Sequence, residues 1–402
     1  MAAVMIGIDP HKASHTAVAI DAAEVPLGQV RVRACAGQAG QLVAWAASWP
    51  ERIWAVEGAG GLGCLLAQQL VAAGERVLDV QPKLGARVRL LATGATGKND
   101  PNDARSVAIA ALRSPSVRPV AAEDHAAALK VWAKRHRDLA STRTQVACRL
   151  HAVLCGLMPG GIGTEISAAQ AARVLGAIRP ADAVARARHE LARQMLEDLI
   201  RLDQQLRENK KRLAAGVKAS GTTVTGVFGV GPVVAAIVLA EARDVARFAS
   251  RDHFAAYNGS APVEVSSGPR KVYRLSWRGN RRLNHALHIA AVTQIRHRHS
   301  AGRAYYDKKL AEGKTPKEAL RALKRQVSDA VFACLQADAR QAAAAGPGGQ
   351  PGNDSSSSAA GSHPARQLFG PATPEPDPQP TTPNPLPPAQ TKKTRNPLDN
   401  RH

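Results

Sequence analysis

The sequence predicts an α/β domain with a mixed sheet, followed by a mostly helical remainder and a disordered tail. Three observations carry this. Short apolar runs alternate with helical patterns up to about residue 118. Apolar residues then recur every three or four positions through residues 122–215. From about residue 343 the chain is rich in Gly, Ser, Pro and Thr and buries too little apolar surface to fold. The expected divisions are residues 1–118, 119–216, 217–340 and 341–402.

Within the first division, residues 4–9 and 16–21 read as a strand hairpin around Pro10-His11-Lys12-Ala13-Ser14, with a third strand at 29–33. A helix over 38–47 precedes a strand at 53–57. A Gly-opened helix (62–73), a strand (76–80) and helices near 83–91 and 104–112 complete it. The next division offers two long helices. Leu129, Trp132, His136, Leu139, Arg143, Val146, Leu150 and Val153 line one; Met195, Leu199, Leu202, Leu206, Asn209 and Leu213 line the other. Pro159-Gly160-Gly161-Ile162-Gly163 separates them, so an antiparallel hairpin or an oligomeric coiled coil both fit the stripe. His136 and Arg143 weaken the seam.

Four acids stand where catalytic carboxylates could sit. Val4-Met5-Ile6-Gly7-Ile8-Asp9 and Ile53-Trp54-Ala55-Val56-Glu57 are buried-strand patterns ending in a carboxylate. Such an end emerges at the sheet edge, where open α/β sheets place their ligands. Asp100 and Asp103, in Lys98-Asn99-Asp100-Pro101-Asn102-Asp103, share one face at a helix start by their i, i+3 spacing. Taken singly, an acid at a helix start is a cap and one closing a strand is solvated. Gathered together they repel unless divalent cations neutralise them. An oxygen-only set suits Mg²⁺ or Mn²⁺, and a metal pair clamping one phosphate is suited to phosphodiester chemistry.

The net charge is +22 with a pI near 10.5, which favours a polyanionic partner. Residues 1–113 hold 11 Lys and Arg against 9 Asp and Glu, a net of +2, so +20 lies downstream of the acids. The longest apolar run, residues 232–240, is far short of the roughly 20 residues of a spanning helix, so no membrane role is expected. Five cysteines without a CxxC pair fit a reducing cytoplasm, and no secretory signal opens the chain. Aromatics at 3% are too few for a single-strand stacking platform.

In the third division, Gly229-Val230-Gly231-Pro232 precedes a helix, and glycines there expose N–H groups that can hold a phosphate. The pattern is similar to helix–hairpin–helix modules. Ser266-Ser267-Gly268-Pro269 reads as an exposed turn amid Arg270, Lys271, Arg274, Arg278, Asn280, Arg281 and Arg282. That cluster suits phosphate contact, although a solvated basic helix face accounts equally for Arg281 and Arg282. A serine hydroxyl there could attack phosphorus if another group took its proton.

These motifs jointly resemble the DEDD-type insertion-sequence transposases of the insertion sequence 110 family, which are similar to pilin-gene invertases. The marks are Gly7-Ile8-Asp9-Pro10-His11-Lys12, Val56-Glu57-Gly58, Lys98-Asn99-Asp100 with Asp103-Ala104, Gly229 to Pro232, Ala261-Pro262 through Ser267-Gly268, and Arg278-Gly279-Asn280 with Leu283. The resemblance covers about residues 4–335. The resemblance implies an RNase H-like (RuvC-like) domain holding Asp9, Glu57, Asp100 and Asp103 around Mg²⁺ or Mn²⁺. It also implies a helical coiled-coil insert and a C-terminal transposase domain whose nucleophile maps onto Ser267, with Ser266 an ambiguous neighbour. The implied partners are double-stranded DNA, a guide (bridge) RNA and further copies of the chain, as dimer or tetramer. Asn99 stands where the family often has Thr, and the tail lies outside the pattern.

Three rivals remain at this stage. A junction-resolvase-like nuclease would use the acids alone. An actin-like kinase or ATPase also begins near Gly-Ile-Asp, but its phosphate hairpin needs the Gly and Thr that Pro10-His11-Lys12-Ala13 lacks. An inactive nucleic-acid-binding relic would not need intact acids.

Overall fold

The computed structural model describes residues 4–91, 99–114, 117–159, 163, 166–265, 273–275 and 279–345. Strands β1 (Val4–Pro10), β2 (Ser14–Ile20) and β3 (Pro26–Arg33) form an antiparallel meander. Strand β4 (Arg52–Glu57) pairs parallel to β1, β5 (Val77–Val80) parallel to β4, and a two-residue β6 (Arg118–Pro119) antiparallel to β5. The order β3-β2-β1-β4-β5-β6 is the expected mixed sheet, with one short edge strand that the sequence did not announce.

Alternation along the strands sorts the side chains between two helical layers. Ile6, Ile8, Ala17, Ala19, Trp54 and Val56 pack with Leu42 of α1 (Gln38–Trp45) and Leu66 and Leu70 of α2 (Cys64–Ala72). Met5, Val18, Ile20 and Ala55 pack on the other face with Ala104, Val107 and Ala108 of α4 (Asp100–Arg113), beside α3 (Pro82–Leu91). By the same period of two, Asp9 and Glu57 fall on the α4 face. At the far end of β4, Arg52 pairs with Glu75, which also accepts a hydrogen bond from the Trp54 indole at 2.6 Å.

Helices α5 (His125–Cys155) and α7 (Ala183–Ala219) pack antiparallel within the chain. Arg143 pairs with Asp203, and the Arg212 guanidinium lies 4.8 Å from the Trp132 ring centroid. The first of the two arrangements open to the sequence is thus present here. Both polar seam residues have companions: Arg143 its aspartate, and His136 the buried Asn209. Burial, despite the Asn209 contact, holds the His136 pKa below its ordinary value, with Lys210 adding to the shift. A short helix α6 (Ala168–Ala177) caps the distal end through Ala171 and Leu175; the sequence analysis places no element there.

The root of this pair packs into a third core. Leu129, Leu213 and Val217 meet α8 (Pro232–Ala242), α9 (Arg251–Asn258), α10 (Arg281–Arg296) and α12 (Pro316–Ala345), with α11 (Ala301–Ala311) against α12. Strands β7 (Pro262–Glu264) and β8 (Tyr273–Leu275) form an antiparallel hairpin between α9 and α10. Helix α12 runs to Ala345, beyond the expected tail boundary at 341, because its alanines continue the helix. Among the described residues, no helix is long and apolar enough to cross a membrane.

Candidate metal centre

The carboxylates of Asp9 and Glu57 are neighbours because their strands are. Ile8 is paired with Val56 in the parallel β1–β4 ladder, so the next residue of each strand emerges at the same edge. Helix α4 brings the other two acids over that edge. Its close seat depends on Gly7, where a Cβ would lie 2.1 Å from the Ala104 oxygen and 2.5 Å from the Ala108 nitrogen. Asp103, one residue before Ala104, is thereby held above Asp9.

The helix begins at Asp100, a turn earlier than its apolar pattern suggested, and Asn99 supplies the cap. The Asn99 side chain accepts the Asn102 N–H at 2.9 Å. Neither aspartate is consumed as an N-cap, so both remain available in the first turn, where the helix dipole favours negative charge.

Asp9 is 6% exposed and Asp103 8%. Burial raises the Asp9 pKa above its ordinary 3.8; His11 opposes this, while Asp103 and Asp100 reinforce it. Burial likewise raises Glu57 above 4.5, with Asp9 and Asp103 adding to the shift and Arg89 opposing it. The two carboxyl groups are in hydrogen-bond contact. Buried like charges that resist ionisation are the signature expected of an acid cluster built for a cation.

Three further side chains complete the surroundings. His11 Nδ1 lies 3.5 Å from Asp9 Oδ2, and ligand atoms of Asp9, His11 and Asp100 all fall within 4.8 Å of one another. Arg89 Nη1 of α3 stands 2.9 Å from Asp103 Oδ1, an ion contact whose alignment leaves that oxygen without a hydrogen bond. Arg31 of β3 reaches Asp100 at 3.5 Å. Beside them, Thr16, Gln29, Arg31, Asn99 and Asp100 line a groove of about 520 Å³. The sequence analysis assigned no role to these three. His11 stood inside the quoted motif, two residues after Asp9; the arginines arrive from elements distant in sequence.

The donor set fits a divalent cation. Buried carboxylates, among them an Asp103 oxygen that makes no hydrogen bond, and an imidazole within reach offer oxygen ligands with one optional nitrogen. Because Asp9 and Glu57 have raised pKa values in the folded chain, the stability they confer is fully present below pH 3.8 and 4.5. It is lost as pH rises through their elevated folded values. Metal-free wild type should therefore lose Tm relative to Asp9→Asn as pH is raised from that acid range to neutrality. Adding Mg²⁺ at neutral pH should restore it in wild type alone. A Tm difference independent of both pH and Mg²⁺, measured by scanning fluorimetry, would count against the cluster.

The other predicted site residues divide. Gly229 has φ +84°, and a Cβ there would lie 2.6 Å from the Ala290 oxygen, so packing on α10 already requires the glycine. Gly231 is the N-cap residue of α8. Asn280 was expected on nucleic acid, yet its side chain is engaged within the chain. It accepts the Arg282 and Leu283 N–H groups and donates to Glu241 Oε2 at 2.7 Å and Tyr257 Oη at 3.0 Å. Arg282 also reaches Glu241, at 3.4 Å. Arg274 and Arg281 are exposed. Ser266, Ser267, Arg270, Lys271 and Arg278 lie outside the described residues.

Two family models match the chain. DEDD_Tnp_IS110, described as "Transposase", matches residues 6–159, which contain all four acids. "Transposase IS116/IS110/IS902 family" matches residues 221–307, which contain Gly229, Ser267 and Arg282. The chain is 27% identical over 379 residues to the "Insertion element IS116 uncharacterized 44.8 kDa protein" of Streptomyces clavuligerus, covering 83% of this chain and 94% of that one. It is 27% identical over 390 residues to the "Insertion element IS900 uncharacterized 42 kDa protein" of Mycobacterium paratuberculosis, covering 83% and 96%. The "Insertion element IS110 uncharacterized 43.6 kDa protein" of Streptomyces coelicolor is 37% identical over 114 residues, 28% of each chain.

Proposed function

The chain belongs to the IS116/IS110/IS902 family of insertion-element transposases, and from that premise we propose that it cleaves and rejoins DNA strands to move its element, using Mg²⁺ held by Asp9, Glu57, Asp100 and Asp103 together with the Ser267 hydroxyl. The observation that carries this reading is the approach of Asp100 and Asp103, in the first turn of α4, to Asp9 and Glu57 at the ends of β1 and β4. We further read the sheet region as RNase H-like (RuvC-like), and the α5–α7 pair as the coiled-coil insert. Ser267 belongs in this reading to a C-terminal transposase domain, in the segment joining β7 to β8.

Asp9, Glu57, Asp100 and Asp103 would hold the cation, Mg²⁺ or Mn²⁺, which when bound would neutralise charge on the reacting phosphate. Asp9 and Glu57, whose pKa values burial raises, would act in their ionised form. Ser267 Oγ gives its proton to a carboxylate of the cluster as it bonds to phosphorus, the bond to the displaced sugar oxygen breaks, and that oxygen takes a proton from water as it leaves. The serine ester retains the bond energy, so a second sugar hydroxyl can reverse the step and reseal a strand. Arg270, Lys271, Arg274, Arg278, Arg281 and Arg282 are the proposed phosphate contacts, along with the Gly229–Gly231 backbone. Base pairing by a guide RNA would supply the target choice. The site would be completed between copies of the chain, as a dimer or tetramer, on DNA in the cytoplasm.

The test is a denaturing gel of the purified protein with element-end DNA. Wild type and Ser266→Ala should form a denaturant-resistant protein–DNA adduct, and Ser267→Ala should not. Strand cleavage that persists in Ser267→Ala without any adduct would replace this reading with a nuclease that hydrolyses through the acids alone. Sequencing co-purified RNA tests guidance: one discrete species encoded beside the gene supports it, and bulk cellular RNA contradicts it.

A further inference from the structure

Lys324 of α12 is a half-buried amine without an ion pair among the described residues. Its Nζ donates to Asn284 Oδ1 at 2.9 Å. Asn284 in turn donates to the Asn258 carbonyl at 2.8 Å, and the wholly buried Asn258 donates to the Ser328 hydroxyl at 2.8 Å. The amine is thus tied by a chain of interior hydrogen bonds to the last residue of α9. Four residues on, β7 begins.

The two stems of the β7–β8 hairpin are clamped at the same place. A Cβ on Gly279 would lie 2.7 Å from the Gly259 nitrogen and 3.1 Å from the Asn258 carbonyl carbon. The backbone leaving the hairpin therefore presses on the backbone entering it, directly above the Asn258–Asn284–Lys324 chain. Gly279 admits no side chain without parting those stems.

The charges around Lys324 have its own sign. Burial lowers its pKa, and Arg281 and Arg321 lower it further. On α10, His285 and His288 stack at 6.5 Å, and burial, followed by Lys324 and His285, holds His288 below its ordinary value. A half-buried ammonium close to further positive charge gains from an anion that completes its contacts. An ammonium offers three donors, of which Asn284 takes one.

We propose that Lys324, with Arg281 and Arg321, binds a backbone phosphate of duplex DNA at the base of the β7–β8 hairpin. The inference rests on the DNA-transposition reading and deepens it by adding an anchor on α12. Residues 321 and 324 lie beyond the 221–307 family match. A phosphate gripped there would fix the strand at the root of the segment bearing Ser267, by contacts that carry no sequence information.

Fluorescence anisotropy of the full chain with a labelled duplex, in metal-free buffer across a salt series, tests this without requiring cleavage. Lys324→Met should bind several-fold more weakly, with a salt slope shallower by about 0.9, the value of one lost phosphate contact. Its Tm should equal or exceed that of wild type, because a buried like charge has been removed. Lys324→Arg should keep the slope, and Arg321→Gln should shift it in the same direction as Lys324→Met. Unchanged slopes in both Lys324→Met and Arg321→Gln overturn the inference. So does a change seen with single-stranded RNA and absent with duplex DNA. Should Lys324→Met fail to fold, the exposed Arg321 decides alone. A wild type that binds no duplex removes the transposition reading as well; a binding wild type with indifferent variants removes only this anchor.

Discussion

Asp9→Asn should reduce DNA strand cleavage by at least about a thousandfold, equivalent to roughly 4 kcal/mol of transition-state stabilisation, while leaving the chain folded. Asp9 is the hub of the cluster. It touches Glu57, lies 3.5 Å from His11, and feels both Asp100 and Asp103. Substituting the amide removes one of the buried carboxylates but keeps the volume that β1 and α4 pack around. Because Asp9 is buried among like charges, the metal-free variant should melt at or above the wild-type temperature at neutral pH. The combination matters: a residue needed only for folding would lose both properties together. Cleavage assays with element-end DNA and parallel thermal scans separate the cases. Near-wild-type cleavage by a well-folded Asp9→Asn protein would remove Asp9 from the chemistry.

Gly7→Ala should destabilise the chain by about 3 kcal/mol, as overpacking without room to relax does. The added methyl would meet the backbone oxygen of Ala104 at 2.1 Å and the Ala108 nitrogen at 2.5 Å, and backbone cannot rotate aside as a side chain can. Relief requires α4 to lift from β1, which carries Asp100 and Asp103 away from Asp9. The variant should therefore lose stability and metal affinity together, whereas Asp9→Asn loses affinity alone. Chemical denaturation with and without Mg²⁺ reads both effects. A Gly7→Ala protein as stable as wild type would show that α4 sits farther from the strand than described.

How far the sequence discloses this arrangement depends on whether a residue's role is local. Asp9 and Glu57 are legible because buried strands announce themselves by composition and end abruptly in acid. Their adjacency, however, comes from the β1–β4 pairing, across an intervening hairpin and helix. The i, i+3 spacing of Asp100 and Asp103 is local too, but their freedom from capping depends on Asn99 taking the cap. Arg31 and Arg89 reach the acids only through tertiary packing, so nothing in their neighbourhoods marks them. Asn280 is legible only in part. A polar residue amid arginines looks like a DNA contact, and its side chain instead caps α10 and bonds Glu241. Helix α6 escaped because it is short, alanine-rich and close to a glycine-rich break. Lys324 reads in sequence as one basic residue on a solvated helix face; its burial appears only when α9, α10 and α12 are assembled.

The central claim is that four distant carboxylates hold a divalent cation before DNA arrives. Titration of the DNA-free protein with Mn²⁺, counting free ion by electron paramagnetic resonance, tests it most directly. Wild type should withdraw Mn²⁺ from solution, Mg²⁺ should compete it away, and Asp9→Asn and Asp103→Asn should each leave it free. Equal Mn²⁺ uptake by wild type and both variants would contradict the account, since the ion would then be bound elsewhere.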